Sequence, residues 1–282
     1  MVKLANVAGR SVLVLGQGSG LDIATASGGR FGPDPQQVVG NWDAFIDWLS
    51  RLRYDEGDVS FTPSDLGPPV PRPTQVFAIG VNYREHADEA GYPPDSLPVT
   101  FTKFASCLTG ADAEVTLPTA TVDWEVELVV VIGRGGRDVA RAAAWDHVAG
   151  VTVGQDLSER TSQMAGSRPQ YSLAKSHEGF GPTGPWLVTP DELPDRDDLA
   201  ISCSIGGQTM QSSRTAKMIY DVPELIARLS AVCALLPGDL IFTGTPSGVG
   251  NARTPKRFLT PADELVSTIE GIGSIRTRFR SA

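Results

Sequence analysis

The 282-residue sequence contains few cysteines and histidines, no surplus of positive charge and no long apolar run. Its three cysteines are far apart and odd in number, which favours a reducing compartment over a disulfide framework, so we expect a cytoplasmic protein. A net charge of −9 argues against a general nucleic-acid binder. No stretch approaches the roughly 18 apolar residues of a membrane span or the apolar region of a signal peptide. We therefore predict neither a nucleic-acid nor a membrane partner.

Two glycine-rich segments invite a nucleotide-binding interpretation, and both lack an essential part of the motif. The glycines at 16 and 18 follow an apolar run, but Leu21 stands where a dinucleotide fingerprint needs its third glycine. Residues 21–24 look like a returning strand, so we predict a hairpin that turns at residues 16–20. Residues 244–250 lack the lysine that ends a phosphate loop. They predict a constrained loop that allows close backbone approach to a ligand.

Short apolar runs broken by glycine and proline dominate the chain, and strands outnumber helices without alternating regularly with them. This pattern predicts a β-rich, mixed α/β roll rather than a doubly wound sheet. We divide the chain into a small N-terminal α+β domain, residues 1–68, and a catalytic domain, residues 69–282. The proline-rich stretch at 62–73 is the predicted linker. Helical spacing predicts helices at 41–52 and 221–236, the second capped by Asp221.

Acidic residues lie along the strand predicted at 123–132. Strand alternation places Glu125 and Glu127 on one face, where their like charges need either water or a positive partner. Asp156 ends another apolar strand and is a candidate third ligand. Carboxylates at this spacing suit a hard divalent cation such as Mg²⁺, Mn²⁺ or Ca²⁺. The alternative is a solvent-facing acidic strand without a metal.

A second group of polar residues lies in the segment 82–91. Asn82 is expected to cap a short helix there, with Glu85 reaching back to complete a capping box. His86 and Glu89 then share one helix face, and a carboxylate beside an imidazole favours a general base. The alternative is an ordinary ion pair on the surface of a helix.

Two cations could complete a site. Lys175 follows a short strand and precedes a glycine- and proline-rich loop, from which it could neutralise a carboxylate or polarise a carbonyl. Arg160 lies four residues after Asp156 and would approach the metal if that segment begins a helix. The alternative for Lys175 is a surface lysine.

These segments together resemble the fumarylacetoacetate hydrolase family over roughly residues 70–280. The matching segments are G-x-N-Y-x-x-H-x-x-E at 80–89, P-x-x-F-x-K at 98–103, the acidic strand at 123–133, the lysine loop at 175–186, and the segments 237–250 and 269–273. Their order along the chain makes the functional interpretation of each segment stronger than it is alone.

The resemblance implies a β-roll catalytic domain preceded by a small N-terminal domain, usually in a homodimer. It implies Mg²⁺, with Mn²⁺ or Ca²⁺ possible, held by Glu125, Glu127 and Asp156, and a small anionic 2-oxo acid as substrate. We expect a hydrolase that cleaves a C–C bond of acylpyruvate-like compounds. The alternatives are an isomerase or decarboxylase of 2-oxo dicarboxylic acids on the same site, and a non-catalytic ligand-binding protein.

The expected roles divide the site residues into three groups. The catalytic residues are His86, Glu89 and Lys175; the substrate-binding residues are Arg160, Gln163 and Thr245; the metal ligands are Glu125, Glu127 and Asp156. The helix at 82–90 is expected to act as a lid. The sequence departs from the family pattern at Gln155, Thr161 and Ala262, and the first two lie close enough to the metal to alter the choice of substrate.

Overall fold

The computed structural model describes residues 2–16, 18–53, 56–93 and 95–282, and it is β-rich with short helices. The strands are β1 Lys3–Val7, β2 Arg10–Gly16, β3 Ser19–Asp22, β4 Val59–Ser60, β5 Leu66–Gly67, β6 Val76–Gly80, β7 Val99–Thr102, β8 Leu108–Thr109, β9 Asp112–Leu117, β10 Val122–Asp123, β11 Val126–Ile132, β12 Val148–Gln155, β13 Ser158–Glu159, β14 Gly181–Val188, β15 Ala200–Ile205, β16 Gln208–Arg214, β17 Leu240–Phe242, β18 Glu264–Ile269 and β19 Gly273–Ser281. The α-helices are α1 Ile23–Ala26, α2 Pro35–Gly40, α3 Trp42–Leu49, α4 Arg84–Glu89, α5 Arg160–Gln163 and α6 Val222–Val232. The predicted β-rich, mixed fold is confirmed.

The strands form one large mixed sheet and two smaller sheets. The large sheet runs in the order β4-β3-β2-β1-β14-β12-β11-β17-β6-β7, with β5 beside β1 and β8 beside β14. A second sheet has the order β16-β15-β18-β19-β9, and β10 pairs with β13. Strands from distant parts of the sequence are therefore neighbours at the centre of the large sheet.

Strands of the N-terminal segment are part of the large sheet. β1 pairs antiparallel with β14, so strands on both sides of residue 68 share one hydrogen-bonded layer. β2 and β3 form the predicted hairpin, although Gln17 in its turn lies outside the described residues. The return strand is shorter than predicted, because it ends at Asp22, whose side chain caps α1 at residues 23–26. The proline-rich stretch also contains a strand, because β5 pairs with β1, and it packs on the sheet rather than running free as a linker. The division into two domains at residue 68 stays a prediction.

The centre of the large sheet is covered on both faces. β11 and β12 are buried along their whole lengths, as their near-continuous apolar sequences require. Alternate residues of β11 enter different clusters: Val126, Leu128 and Val130 pack into one core, while Val129 and Val131 pack into the other. A polar side chain on such a strand is enclosed by protein, and this sets the electrostatics of the site.

Two of the predicted helices are confirmed, with shorter bounds. α3 presents Trp42 and Phe45 to the core. α6 begins after Asp221, whose side chain accepts a hydrogen bond from the backbone N–H of Glu224, as expected for a capping residue. Within the described ranges, none of the helices is both long and apolar enough to cross a membrane.

Candidate active site

Three carboxylates meet where β11 begins and β12 ends. The two strands are antiparallel, and Val126 pairs with Gln155, so Glu125 and Glu127 lie beside the start of the chain segment that carries Asp156. The backbone N–H of Asp156 donates to the carbonyl of Glu125 at 2.9 Å. One oxygen from each of the three carboxylates lies within 4.8 Å of the other two. The acidic cluster predicted from the sequence therefore exists, and it is buried rather than facing water.

Two lysines are buried against these carboxylates. Lys175 Nζ lies 2.6 Å from Glu125 Oε2 and 2.7 Å from Asp156 Oδ2. Lys103 Nζ donates to Asp156 Oδ1 at 2.7 Å, and also to the carbonyls of Lys175 and Phe180. Lys175 is therefore an internal cation, and the surface alternative is excluded.

Arg160 connects the cluster to a fourth carboxylate. Its guanidinium donates to Glu125 Oε1 at 2.7 Å and to Asp123 Oδ2 at 2.9 Å. Asp123 also accepts the backbone N–H groups of Gly250 and Asn251. Arg160 begins the short helix α5, as the sequence suggested, and its charge is shared between two buried acids.

The charges are distributed unevenly among the carboxylates. Burial by itself would raise the pKa of Glu125, but the charges of Lys175 and Arg160 outweigh it and lower the pKa to about 2. Burial and the neighbouring charges of Asp156 and Glu125 instead raise the pKa of Glu127 well above its ordinary value. No ion pair to Glu127 exists within the described residues, and the backbone N–H of Gly244 donates to its Oε2 at 2.8 Å. Lys103, Lys175 and Arg160 are paired with Asp123, Glu125 and Asp156, so ionisation of Glu127 would add a negative charge that no cation among the described residues compensates.

This donor set fits a divalent cation. Carboxylate oxygens are the preferred ligands of hard cations, and the positive charge of a bound ion would relieve the repulsion that raises the pKa of Glu127. Glu125, Glu127 and Asp156 are the residues that would hold the ion.

A histidine–carboxylate pair lies on α4. His86 Nδ1 is 2.8 Å from Glu89 Oε1, and Glu89 accepts the backbone N–H of Gly248 at 2.9 and 3.0 Å. A carboxylate acceptor at Nδ1 favours the proton on that nitrogen and leaves Nε2 of the neutral ring as the acceptor. The pair therefore has the arrangement of an oriented general base, and one side of it contacts the glycine-rich loop.

The expected cap of α4 is wrong. Asn82 does not cap the helix, because its side chain donates to the carbonyls of Tyr220 and Thr243 and accepts the backbone N–H of Tyr220. Glu85 instead pairs with Lys217 at 2.8 Å. Preceding Asn82, the β-branched Val81 has a φ of 61°, a region that such residues avoid. The strained backbone at residues 81–82, held by hydrogen bonds to residues 220 and 243, therefore sets the position at which α4 begins.

The loop at 244–251 binds carboxylates of the protein itself. Besides the N–H groups of Gly244 and Gly248, which reach Glu127 and Glu89, its later residues reach Asp123. Gly248 has a φ of 107°, and a Cβ there would lie 2.2 Å from the carbonyl oxygen of Met210, so only glycine fits. The loop has the constrained conformation that the sequence predicts, and its approach to a ligand stays a prediction.

A cavity of about 250 Å³ joins the two groups of residues. Seven of the nine predicted site residues line it: His86, Glu89, Glu125, Arg160, Gln163, Lys175 and Thr245. The other two, Glu127 and Asp156, are each 1% exposed and lie beside Glu125. The structure therefore places the His86–Glu89 pair and one member of the carboxylate cluster, Glu125, on the walls of one small cavity.

Two of the predicted substrate-binding side chains are already engaged. The Gln163 amide oxygen accepts from Arg160 at 2.9 Å, which leaves its N–H donors for other partners. The Thr245 hydroxyl donates to the carbonyl of Val126 at 2.9 Å and accepts from Gln211 at 2.8 Å. Their roles toward a substrate stay predictions, and that of Thr245 is restricted because its proton is used.

The sequence prediction did not include several residues that shape the site. Lys103 and Asp123 bind the cluster directly, and three aromatic residues, Tyr92, Phe101 and Tyr171, line the cavity. Phe101 and Lys103 are two of the three residues that the P-x-x-F-x-K segment specifies, and this match could have indicated that both lie at the site.

Comparison with known proteins agrees with the geometry. The family model of the fumarylacetoacetate (FAA) hydrolase C-terminal domain matches residues 75–280. A mitochondrial oxaloacetate tautomerase of Bos taurus is 44% identical over 209 residues, which make up 73% of this chain and 67% of that protein.

Solved structures resemble the chain over its full length. A crystal structure described as an HpcE protein of Mycobacterium smegmatis shares 54% identity with a TM-score of 0.95 and covers 99% of both chains. A maleylpyruvate hydrolase of Sphingobium, in complex with manganese(II) and pyruvate, shares 29% identity with a TM-score of 0.77 and covers 99% of both chains. With its carboxylate cluster, its histidine–glutamate pair and these matches, the chain belongs to the fumarylacetoacetate hydrolase family.

Proposed function

We propose that this protein is a divalent-metal-dependent hydrolase that cleaves a C–C bond in acylpyruvate-like 2-oxo acids. One observation carries the proposal: the oriented pair His86–Glu89 and Glu125, a member of the buried carboxylate cluster, share the walls of one cavity. Hydrolysis needs both a base for water and a site for the 2-oxo acid head of the substrate. The maleylpyruvate hydrolase solved with manganese(II) and pyruvate supports a divalent metal and a 2-oxo acid as ligands of the family.

Glu125, Glu127 and Asp156 would hold Mg²⁺, with Mn²⁺ or Ca²⁺ as substitutes. The bound cation supplies a Lewis acid for the 2-oxo and carboxylate oxygens of the substrate. Lys175 and Arg160 add positive charge beside that position and stabilise negative charge that develops on the substrate. Gln163 orients the attacking water through its amide N–H groups, and Thr245 contacts the head of the substrate.

His86 is the proposed base. Its Nε2 takes a proton from water while Glu89 stabilises the ring, and the water oxygen attacks the distal carbonyl carbon. The bond between that carbon and the methylene then breaks, and its electron pair remains on the methylene as the enolate of pyruvate. Proton return from His86 gives pyruvate and a carboxylic acid. The helix α4, which carries the pair, serves as the lid over the cavity.

A second candidate is isomerisation, tautomerisation or decarboxylation of a 2-oxo dicarboxylic acid. The identity of 44% with an oxaloacetate tautomerase favours it. These reactions need proton transfer at carbon but no hydrolytic water, and His86 could serve that step. A non-catalytic binding protein is disfavoured, because binding alone needs no oriented base.

The test compares products and variants. Metal-stripped protein, reloaded with Mg²⁺ or Mn²⁺, is incubated with acetylpyruvate and with oxaloacetate, and the products are identified. We expect His86→Ala to lower acylpyruvate hydrolysis by about 10²–10⁴-fold with metal affinity unchanged, and to affect oxaloacetate less. His147→Ala, whose ring bonds the carbonyl of Arg134 at the surface, is the matched control. Brisk oxaloacetate turnover without acylpyruvate cleavage would instead support the second candidate.

We also propose that the protein is cytoplasmic, as its few, odd-numbered cysteines indicate, and that it is a homodimer, as the family resemblance implies. Sedimentation that shows only a 29.9 kDa species at micromolar concentration would contradict the dimer.

A further inference from the structure

One wall of the cavity has no role in the proposed reaction, and it is aromatic. Tyr92, Phe101 and Tyr171, which we call the aromatic wall, all line the cavity and are half-buried. The rings of Phe101 and Tyr171 are stacked, with centroids 5.2 Å apart and an interplanar angle of 26°. The hydroxyl groups of Tyr92 and Tyr171 are 3.1 Å apart and hydrogen-bonded. The three side chains are uncharged and in contact with one another, and Lys175 Nζ lies 5.3 Å from the centroid of the Phe101 ring.

The aromatic wall is attached to both halves of the site. Gly91, with a φ of 77°, ends α4, and the backbone N–H of Tyr92 donates back to the carbonyl of Ala87 at 2.9 Å. Tyr92 is thus fixed to the helix of His86. The carbonyl of Tyr171 accepts the backbone N–H of Lys175 at 3.0 Å. A tail bound on this wall would begin next to the reacting centre.

Each cation that lines the cavity is paired with two protein carboxylates. Arg160 is paired with Asp123 and Glu125, and Lys175 with Glu125 and Asp156. The cavity lining also includes the apolar residues Ile79, Val81, Met164 and Pro169, and the neutral polar residues Gln163 and Asn251. Glu89 adds a further negative charge. A second carboxylate on the substrate would therefore find no unengaged lysine or arginine among the described lining residues, and only neutral donors such as the Gln163 amide N–H groups would offset its desolvation.

We propose that the aromatic wall selects 2-oxo acids whose tail is planar and uncharged, such as an aroyl group, over those whose tail ends in a second carboxylate. Aromatic rings gain stability by offset stacking beyond the apolar area they bury, whereas a carboxylate gains nothing from such a surface. The inference rests on the proposed function for the head of the substrate, and it adds the chemical class of the tail. It separates this chain from relatives whose names specify dicarboxylic substrates.

Binding is measured first, without turnover. The probes are 2-oxo-4-phenylbutanoate, 2-oxobutanoate and 2-oxoglutarate, which share the head but lack the second carbonyl that cleavage needs. Calorimetry on the Mn²⁺-loaded protein should show the phenyl compound binding about tenfold more tightly than 2-oxobutanoate, which corresponds to ~1.4 kcal/mol. 2-Oxoglutarate should bind no more tightly than 2-oxobutanoate.

Variants then assign the preference to the wall. Tyr171→Leu should remove most of the tenfold advantage of the phenyl compound and leave 2-oxobutanoate within about twofold, while Tyr171→Phe keeps the ring and the advantage. Tyr220→Leu is the matched control, since this tyrosine packs on Arg228 outside the cavity.

Tighter binding of 2-oxoglutarate than of the phenyl compound, or an equal loss for all three probes in Tyr171→Leu, would overturn the inference. If no acylpyruvate is cleaved but the phenyl preference persists, the proposed hydrolysis fails and the selectivity of the wall stands. If none of the three probes binds, both fail.

Discussion

The two sides of the cavity are built in opposite ways. The carboxylate side is assembled at the ends of β11 and β12, at the centre of a sheet buried on both faces, from side chains far apart in the sequence, such as Lys103 and Asp156, which are separated by 53 residues. The base side consists of two residues three apart on a six-residue helix, His86 and Glu89, with one contact to a loop. The carboxylate side belongs to the core of the fold, whereas the base side is a short helix packed against that core.

The difference separates stability from reactivity. Charges on the carboxylate side are desolvated, so each depends on its partners, and losing one partner leaves a buried charge unpaired. Ionic contacts of α4 such as that between Glu85 and Lys217 are half-exposed and contribute little to stability. We expect changes on the carboxylate side to alter metal binding and folding, and changes on the base side to alter rate alone.

The largest expected effect is that of Glu127→Gln. The substitution preserves size and removes one proposed ligand, so we expect Mn²⁺ affinity to fall by more than about 100-fold, with activity lost. Calorimetric titration of metal-stripped protein measures the affinity. Glu114→Gln, on the exposed edge of β9, should bind Mn²⁺ as wild type does. Unchanged affinity in Glu127→Gln would remove this residue from the metal site.

The same variant has a predicted pH signature without metal. Because the folded protein raises the pKa of Glu127, the folded state favours its protonated form, and stability is lost as pH rises from the ordinary glutamate range through the raised pKa. Urea unfolding in EDTA at pH 5 and pH 8 should show this loss in wild type and a smaller one in Glu127→Gln. An equal loss in both proteins would contradict the assignment.

A smaller effect is expected when one lysine paired with each side of the cavity is replaced, which compares the two sides directly. Lys103→Met leaves Asp156 with one cation fewer inside the protein, and we expect it to lower the free energy of unfolding by about 3–5 kcal/mol. Lys217→Met breaks the half-exposed pair on α4 and should cost at most about 1 kcal/mol. Denaturant unfolding of both variants is the measurement, and equal losses would show that the two sides do not differ.

The smallest effect is expected for Glu89→Gln. The substitution keeps the side-chain shape but weakens the charge-assisted bond to His86, a bond of about 1.5–3 kcal/mol, so kcat should fall by roughly 10- to 100-fold with KM and stability nearly unchanged. Glu85→Gln, on the same helix, is the matched control. A fall in stability comparable to that of Lys103→Met would place Glu89 among the structural residues instead.

Local sequence patterns predicted one part of the site well. Strand alternation brought Glu125 and Glu127 together, and helical spacing paired His86 with Glu89, because both relations depend on backbone periodicity within a few residues. The helix that Asp221 caps was predictable for the same reason.

Long-range relations were not predictable from the pattern. Asn82 was read as a helix cap, but its partners at residues 220 and 243 are available only after the sheet has formed. The pairing of β1 with β14 likewise joins residues more than 180 positions apart. Such contacts depend on tertiary packing, which overrides local capping propensity.

The loop at 244–251 sets the distance between the proposed metal site and the proposed base. Gly244 binds a carboxylate of the metal site and Gly248 binds the carboxylate that orients the base, so a backbone segment of four residues fixes their separation. Inserting or deleting one residue there would shift the two carboxylates relative to each other without changing any side chain that contacts the substrate. Loop length at this point is therefore a means of redirecting the reaction on a constant scaffold.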